Sequence, residues 1–377
     1  MPQAETAALL DGIRAWVEIE THTADVDGVN RLMTLVAKQF AAAGANVERV
    51  PGRDGRGDHL SITSPWGAPH GENSSGILVL CHLDTVHPKG TLAKHLPFRI
   101  EGDKAYGPGT ADMKGGAYLA YAAYCALAAD PQLQRLPVRL LYTSDEEIGS
   151  PTSRGLIESA AASAKYVLVT EPARDGGRIV TARKGVARYD ITTHGRASHS
   201  GARHADGRSA ILEMAKQVIA IEAMTDYARG ITVNIGQIEG GTADNVVPQT
   251  CTAAIDVRMT TLADATEMHR RLTSLKPQGP DVTVEVAGSL NRNPYEETPA
   301  GRKLFDHARD IAAGLGIDLK GVHTGGGSDG NFTAHVVATL DGLGCDGFGA
   351  HTLGEHLYIS SLVPRKLLLQ RLMQTLR

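Results

Sequence analysis

Hydrophobic residues in the first part of the chain follow two different spacings, which predict two kinds of secondary structure. Apolar residues recur every three to four positions, as in amphipathic helices, in three segments: residues 5–20, 28–43 and 116–129. Short uninterrupted apolar runs, typical of buried strands, fill three others: residues 76–81, 138–142 and 166–169. Strands that alternate with helices in this way predict an α/β domain with a mixed, largely parallel sheet.

The pattern changes near residue 185, where polar and apolar residues begin to alternate one by one. This alternation covers residues 186–193 and 251–258 and predicts strands with one solvated face. Helical spacing follows each of these strands, at residues 209–224 and 262–275. Helices and buried strands resume after the insertion, in residues 303–315, 336–340 and 364–376. We therefore predict one α/β domain, residues 1–184 and 294–377, interrupted by an inserted α+β domain, residues 185–293.

Composition narrows the class of protein without identifying a function. Of the 377 residues, 42% are hydrophobic and 21% are charged, which is ordinary for a water-soluble protein. A formal net charge of -4 argues against nucleic acid as the main partner. No apolar run is long enough to span a membrane, and the first residues lack the pattern of a signal peptide. Four cysteines without a CxxC pair predict reduced thiols and a cytoplasmic location: Cys81, Cys125, Cys251 and Cys345.

Two adjacent acidic residues, Glu146 and Glu147, stand where the predicted strand 138–142 gives way to a loop. Like charges so close together repel each other unless a cation lies between them or one of them binds a proton. Side chains that leave a strand one after the other point to opposite sides. One glutamate could therefore bind a metal ion while its neighbour faces a bound water molecule.

His82 and Asp84 follow the predicted strand 76–81, at the end where open α/β sheets place their ligands. Two positions apart on an extended segment, these residues lie on the same side of the chain. A histidine that binds a metal commonly gives its other ring N–H to a carboxylate, and Asp84 suits that role. The alternative is a surface pair with no ligand.

Three further acidic or imidazole side chains stand in loops beside predicted elements. Asp112 lies in the glycine-rich segment 107–116, where the alternative role is a helix N-cap. Glu171 follows the predicted strand 166–169, and His351 lies in a glycine-rich loop. Any one of these is more often structural than functional, but four such loops together predict a site. Mixed carboxylates and imidazoles suit Zn²⁺, with Co²⁺ or Mn²⁺ as alternatives, and paired metals roughly 3.5–4 Å apart can activate water.

Four motifs, taken in order, resemble those of the dizinc peptidases and deacylases. They are residues 82–86, 107–115, 145–147 and 171–172. This family includes glutamate carboxypeptidase of the carboxypeptidase G type, acetylornithine deacetylase, succinyl-diaminopimelate desuccinylase and aminoacylase. The resemblance covers nearly the whole chain, and residues 88–94 and 97–109 are most similar to the glutamate carboxypeptidases. Residues 183–185 look more like the deacetylases, and Cys81 stands where glycine is common.

The resemblance implies a zinc-exopeptidase fold with two zinc ions in each subunit. Two sets of ligands are implied: His82, Asp112 and Glu171 for one ion, and Asp112, Glu147 and His351 for the other. Glu146 would be the general base, and Asp84 would orient His82. The peptide bond that follows Asp112 would be cis.

For the inserted domain the resemblance implies a ferredoxin-like fold and the contacts of a homodimer. The segment 197–201 is similar to one whose histidine, here His199, reaches the active site of the partner subunit and stabilises the oxyanion. The alternative role for this residue is that of an ordinary turn histidine. The implied substrate-binding residues are Asn245, Arg258 and Gly327. Arg258 offers the planar fork that binds a carboxylate.

We therefore expect a dinuclear-metal hydrolase that cleaves the amide bond of N-acyl amino acids or releases C-terminal amino acids. Glu171 supports this choice, since in the family a glutamate there accompanies carboxypeptidases and deacylases, and an aspartate accompanies aminopeptidases. Three alternatives remain open. They are an acetylornithine-type N-acetyl amino acid deacetylase, an aminopeptidase, and a metal-dependent binding protein without catalysis.

Overall fold

The computed structural model describes residues 2–67 and 76–377, which divide into two compact units. The first unit comprises the described residues up to Ala182 together with Glu297–Thr324 and Ser328–Arg377. The second unit comprises Arg183–Glu296 and the short segment Gly325–Gly327. Among the described residues, no helix combines the length and the apolar character needed to cross a lipid bilayer.

The described residues contain helices and strands in both units. The helices are α1 (Pro2–Val17), α2 (Val26–Ala42), α3 (Thr91–Lys94), α4 (Gly115–Ala128), α5 (Arg154–Ala162), α6 (Ala210–Glu222), α7 (Leu262–Thr273), α8 (Pro299–Gly314) and α9 (Leu362–Thr375). The first eight strands are β1 (Asn46–Val50), β2 (His59–Thr63), β3 (Gly76–His82), β4 (Arg99–Glu101), β5 (Lys104–Tyr106), β6 (Val138–Thr143), β7 (Ala164–Val169) and β8 (Ile179–Arg183). The other strands are β9 (Gly185–His194), β10 (Thr232–Gly240), β11 (Thr250–Met259), β12 (Thr283–Arg292), β13 (Gly321–Thr324), β14 (Ala338–Leu340), β15 (Gly347–Phe348) and β16 (His356–Tyr358).

The central sheet of the first unit has the strand order β1-β2-β6-β3-β7-β14. Strands β6, β3, β7 and β14 run parallel to one another, and β1 and β2 add an antiparallel edge. Every residue of β3 is buried because alternate side chains enter two hydrophobic cores. Val79 belongs to the core built with α1, α2, α4, α8 and α9, whereas Leu80 belongs to the core built with α5. This burial on both faces explains the uninterrupted apolar run and confirms the predicted mixed, largely parallel sheet.

The second unit is a four-stranded antiparallel sheet in the order β10-β11-β9-β12, with α6 and α7 packed on one face. Strands and helices follow one another as β-α-β-β-α-β, which is the ferredoxin-like arrangement expected for the inserted domain. Side chains of β9 alternate between buried and exposed positions along much of its length. The alternation seen in the sequence is therefore the signature of a sheet with one covered face.

Several strands carry no clear signal in the sequence. Strands β4, β5, β15 and β16 are only two or three residues long, yet they pair into one sheet in the order β15-β16-β5-β4. Strand β10 lies at an edge of its sheet and is mostly exposed, so its apolar residues do not alternate strictly. In both cases the strands form because they pair with other strands, which the local sequence pattern does not predict.

Helix α4 packs so closely on the end of β7 that a glycine is required at the contact. A Cβ atom at Gly116 would lie 2.1 Å from the carbonyl oxygen of Thr170 and 2.9 Å from the Cα atom of Gly344. Both atoms belong to the backbone, so neither can move aside as a side-chain tip could. We predict that G116A lowers the free energy of unfolding by about 1–3 kcal/mol or more, measured as a lower thermal midpoint.

The matched control is Gly155, which lies within α5 and has no neighbouring atom within 4 Å of its Cβ position. Alanine is preferred over glycine in helices, so G155A should raise the free energy of unfolding by about 0.5–1 kcal/mol. A G116A variant as stable as the parent protein would contradict the described packing.

Candidate metal centre

The predicted ligands of the first unit collect at one edge of the central sheet. The parallel strands β3, β6 and β7 are neighbours, so their carboxyl ends reach the same edge. His82 is the last residue of β3, Glu146 and Glu147 follow β6, and Glu171 follows β7. The fold therefore brings together residues that are up to 89 positions apart.

His82 is oriented by the segment that follows it. Its ring is buried, with 1% of the side chain exposed, and Nδ1 lies 3.0 Å from the backbone oxygen of Asp84 and 3.4 Å from Oδ1 of the same residue. An N–H at Nδ1 therefore donates to the backbone carbonyl, supported by the nearby carboxylate. The other nitrogen, Nε2, faces Asp112 Oδ1 at 3.2 Å and Glu171 Oε1 at 3.7 Å. Burial of both His82 and Asp84 excludes the alternative of a surface pair.

Asp84 also fixes the start of the turn that carries the two adjacent glutamates. It accepts hydrogen bonds from the backbone N–H groups of Glu146 and Glu147, both at 3.2 Å, and from the Thr23 hydroxyl at 2.8 Å. Glu146–Ile148 forms one turn of 3₁₀-helix rather than an extended continuation of β6. With three residues per turn, neighbouring side chains point in directions roughly 120° apart. This turn, rather than the alternation of a strand, separates Glu146 from Glu147.

Asp112 lies in a single irregular helical turn, Thr110–Lys114, that precedes α4. Gly109, before the turn, has a φ of +75°, which glycine adopts without steric cost, and the Asp112–Met113 peptide bond is cis as expected. The N-cap position of α4 is Lys114, so the alternative role of Asp112 as a helix cap is excluded. Its Oδ1 faces His82 and its Oδ2 faces His351 at 3.3 Å. The carboxylate therefore stands between two imidazoles.

His351 approaches from the loop between β15 and β16. Its Nε2 lies 3.1 Å from Glu147 Oε2 in addition to its contact with Asp112, and 55% of the side chain is exposed. Its backbone φ of +65° is uncommon for a residue other than glycine, and such conformations are frequent at functional sites. Glu147 is 5% exposed, and its Oε1 is a buried oxygen without a hydrogen-bond partner among the described residues.

The crowding of charges shifts the pKa values of several groups. Burial acts to lower the pKa of His82, but hydrogen bonds with Asp112 and Asp84 outweigh it and raise that pKa well above its ordinary value. Hydrogen bonds with Asp112 and Glu147 raise the pKa of His351 to about 11. Burial would raise the pKa of Asp112, yet its hydrogen bonds with both histidines lower it strongly. Burial and the charge of Asp112 raise the pKa of Glu147 despite its bond to His351.

These residues form a donor set suited to divalent metal ions. Donor atoms of His82, Asp112 and Glu147 all lie within 4.8 Å of one another, and so do those of His82, Glu146 and Glu171. Oxygen and imidazole ligands without thiolates suit Zn²⁺, Co²⁺ and Mn²⁺. The orphaned Oε1 of Glu147 is a buried anionic ligand for which a cation would compensate. The residues therefore fit bound metal.

Four predicted residues lie in the second unit: His199, Asn245, Arg258 and Gly327. His199 and Asn245 belong to adjoining segments, since Ser200 N–H donates to the Asn245 carbonyl at 3.0 Å. Nδ1 of the exposed His199 accepts from the N–H groups of Gly201 and Ala202, at 3.1 and 3.2 Å, so a hydrogen on the ring belongs to Nε2.

Arg258 on β11 is engaged within its own strand. Its Nε and one terminal nitrogen donate to the two carboxylate oxygens of Asp256, at 2.7 and 2.9 Å. The carbonyl of Gly327 accepts from Arg183, a buried residue that also contacts Gly326. The two-pronged face of Arg258 that was expected to bind a substrate carboxylate is therefore occupied by Asp256.

Sequence reasoning missed a buried residue, Glu355, that contacts the Asp112 segment. Its carboxylate accepts hydrogen bonds from the backbone N–H groups of Gly109, Ala111 and Asp112, and it contacts the ring of His87. The residue follows His351 by four positions, but its contacts are more than 240 positions away in the sequence. No local pattern could indicate them.

The chain is similar in sequence to peptidases and deacylases along most of its length. The sequence pattern of peptidase family M20/M25/M40 matches residues 78–375. Carboxypeptidase G2 of Pseudomonas sp. (strain RS-16) is 31% identical over 372 residues, which cover 96% of this chain and 88% of the relative. Succinyl-diaminopimelate desuccinylase of Halorhodospira halophila is 29% identical over 349 residues, which cover 87% and 88% of the two chains.

Solved structures share the fold at lower identity. A tripeptidase from Staphylococcus aureus superposes with a TM-score of 0.80 at 18% identity, and 98% of each chain is covered. The family match and the identity to carboxypeptidase G2 together show that the chain belongs to peptidase family M20/M25/M40. It is a hydrolytic enzyme of the metallopeptidase type, as the resemblance implied.

Metal binding should release protons, because both histidines must be neutral to bind a metal ion. The raised pKa values of His82 and His351 favour a second proton, and hence a positive charge, on both rings at pH 7 when no metal is bound. We predict that Zn²⁺ binding at pH 7 releases up to two protons, one from each ring, and that metal affinity rises with pH. Calorimetric titrations in buffers of different ionisation enthalpy measure this release. Binding without proton release would contradict the described hydrogen bonds.

Proposed function

We propose that this enzyme hydrolyses the amide bond between an acyl group and an amino acid that bears a free α-carboxylate. Its substrates would be small N-acyl amino acids or peptides with a C-terminal amino acid, as for a glutamate carboxypeptidase. The observation that carries the proposal is the position of Asp112, whose two oxygens face His82 and His351 while Glu146 lies close to His82 and Glu171.

The residues proposed to hold two metal ions divide into two sets that share Asp112. His82 and Glu171 complete the first set, and Glu147 and His351 complete the second. We propose Zn²⁺ as the natural metal, with Co²⁺ or Mn²⁺ as substitutes. Bound metal would lower the pKa of a water molecule and offset the charge that develops on the carbonyl oxygen.

Glu146 is proposed as the general base. It takes a proton from the attacking water and passes that proton to the nitrogen of the leaving amino acid, so that the amide C–N bond breaks and a C–O bond forms. Its backbone N–H donates to the carboxylate of Asp84. That carboxylate also accepts hydrogen bonds from the Thr23 hydroxyl and the Glu147 N–H, so it holds the turn that carries both glutamates. Asp84 is assigned to orientation of the His82 ring and of this turn.

His199 is proposed to stabilise the oxyanion from the inserted unit. Since Nδ1 accepts two backbone hydrogen bonds, the ring is set to donate from Nε2. In the proposed homodimer, formed through the inserted domain, this histidine serves the partner subunit. We accordingly assign residues 185–293 to dimerisation and closure over substrate, and residues 1–184 and 294–377 to catalysis and metal binding.

Arg258, Asn245 and Gly327 are proposed to recognise the substrate. The Arg258 fork already binds the carboxylate of Asp256, a geometry that a substrate carboxylate could also adopt. A substrate carboxylate would have to share or replace that contact. Four free cysteines support the proposed cytoplasmic location, where thiols stay reduced.

A panel of substrates tests the proposal and its alternatives together. N-acetyl-glutamate, N-benzoyl-glutamate, N-acetylornithine and free dipeptides should be compared, each with Zn²⁺ and after chelation. We predict that N-acetyl-glutamate and N-benzoyl-glutamate are hydrolysed fastest, and that chelation abolishes the activity. A preference for free dipeptides would favour an aminopeptidase, and a preference for N-acetylornithine would favour a deacetylase of that type.

The control is E146Q, which keeps the size of the side chain and removes the base. We expect metal content equal to that of the parent and a turnover reduced at least 10²-fold, in line with the usual contribution of a general base of about 10²–10⁴-fold. Metal and ligand binding without turnover in the parent protein would instead support a non-catalytic binding protein.

A further inference from the structure

Glu355 is a buried carboxylate near the metal centre that accepts hydrogen bonds with both of its oxygens, although it is not one of the predicted ligands. Its Oε1 accepts the N–H groups of Ala111 at 2.9 Å and Asp112 at 3.0 Å. Its Oε2 accepts the N–H of Gly109 at 3.0 Å and contacts His87 Nε2 at 2.7 Å. Each oxygen therefore accepts two hydrogen bonds. Three of the four donors are backbone N–H groups of the segment that carries Asp112.

We propose that Glu355 is a positioning residue that ties the Asp112 and His351 segments into one binding site for the second metal ion. This inference rests on the proposed dinuclear site. Glu355 N–H donates to the Thr352 carbonyl at 3.2 Å and so closes the turn that follows His351. The same residue thereby fixes one end of the His351 loop by its backbone and the Asp112 turn by its side chain.

The carboxylate is needed for its charge as well as its shape. Only 1% of the Glu355 side chain is exposed, so hydrogen bonds rather than water must compensate its burial. A glutamine of the same size would replace one carboxylate oxygen with an NH₂ group, which cannot accept hydrogen bonds. The N–H groups that now donate to that oxygen would lose their acceptor. His87, itself 7% exposed, completes the set from another segment. The Asp112 turn would then lose the contacts that aim its carboxylate between the two histidines.

Loss of Glu355 should weaken metal binding by the two sets of ligands to different extents. His82 and Glu171 stand at the ends of sheet strands, independent of Glu355. Asp112 and His351 both depend on segments that Glu355 joins. Loss of Glu355 should therefore weaken the set formed by Asp112, Glu147 and His351 more than the set formed by His82, Asp112 and Glu171.

Titration of the metal-free protein with Co²⁺ tests this inference, followed by visible absorption and by calorimetry. The parent protein should bind two ions. In E355Q one of the two binding steps should lose about 10–100-fold in affinity, the range typical for partners that orient metal ligands, while the other step changes less. H87N should shift the same step in the same direction by a smaller factor.

The matched control is E213Q in the inserted unit. Glu213 is also a buried carboxylate, and it accepts the N–H groups of Gln278 and Gly279 at 2.8 and 2.9 Å and the amide of Gln217. Its replacement should lower thermal stability and leave both Co²⁺ affinities unchanged. A purely structural role for Glu355 would make E355Q behave in the same way.

Two Co²⁺ steps of parental affinity in a folded E355Q variant would overturn the inference and leave the proposed function intact. Fewer than two ions bound by the parent protein would overturn the proposed dinuclear site and the inference with it. If far-UV circular dichroism shows that E355Q does not fold, H87N decides the matter, and parental affinities in H87N would overturn the inference.

Discussion

The structure depends on one electrostatic constraint, the crowding of acidic side chains at a buried edge of the central sheet. Asp84, Asp112, Glu147 and Glu171 are largely or fully buried there, with two imidazoles between them. Taking ionised carboxylates out of water is costly unless cations and hydrogen bonds compensate them. The two histidines provide part of this compensation as cations, because hydrogen bonds with the carboxylates raise the pKa values of both rings and each ring holds a second proton. Divalent metal ions would replace those protons.

Much of the surrounding fold can be understood as the means of holding these charges in place. Parallel strands bring His82, Glu146 and Glu171 to one edge, and two buried carboxylates fix the turns between them. Asp84 accepts hydrogen bonds from the N–H groups at the start of the Glu146 turn, and Glu355 accepts them from the N–H groups of the Asp112 turn. In both places a buried anion takes the place of water at the backbone. The ligands are therefore set by hydrogen-bonded backbone rather than by flexible side chains.

The sequence predicted the sheet and its loops because burial on both faces leaves a continuous apolar run, as in residues 76–81. The sequence also predicts that the side chains of Glu146 and Glu147 point in different directions, but for a different geometric reason. Strand alternation suggested this difference, whereas a 3₁₀ turn whose first N–H groups contact Asp84 produces it. The ligand assignments themselves came from resemblance to a family, since the spacing of single acids and histidines leaves structural roles open.

Other features could not be predicted from the sequence because they arise from contacts between distant segments. Glu355 is surrounded by ordinary loop residues, and its role follows only from contacts with Gly109, Ala111 and Asp112. The pairing of Arg258 with Asp256 likewise appears only once β11 is formed, when two residues on one face lie side by side. Short strands such as β15 and β16 have too few residues to show a period.

The central claim is that Asp112 bridges two metal ions. Anomalous diffraction from crystals of the Zn²⁺-loaded enzyme tests it most directly. The account predicts two peaks in each subunit, roughly 3.5–4 Å apart, on either side of the Asp112 carboxylate. One peak should lie beside His82 and Glu171, and the other beside Glu147 and His351. A single peak, or two peaks without Asp112 between them, would contradict the account.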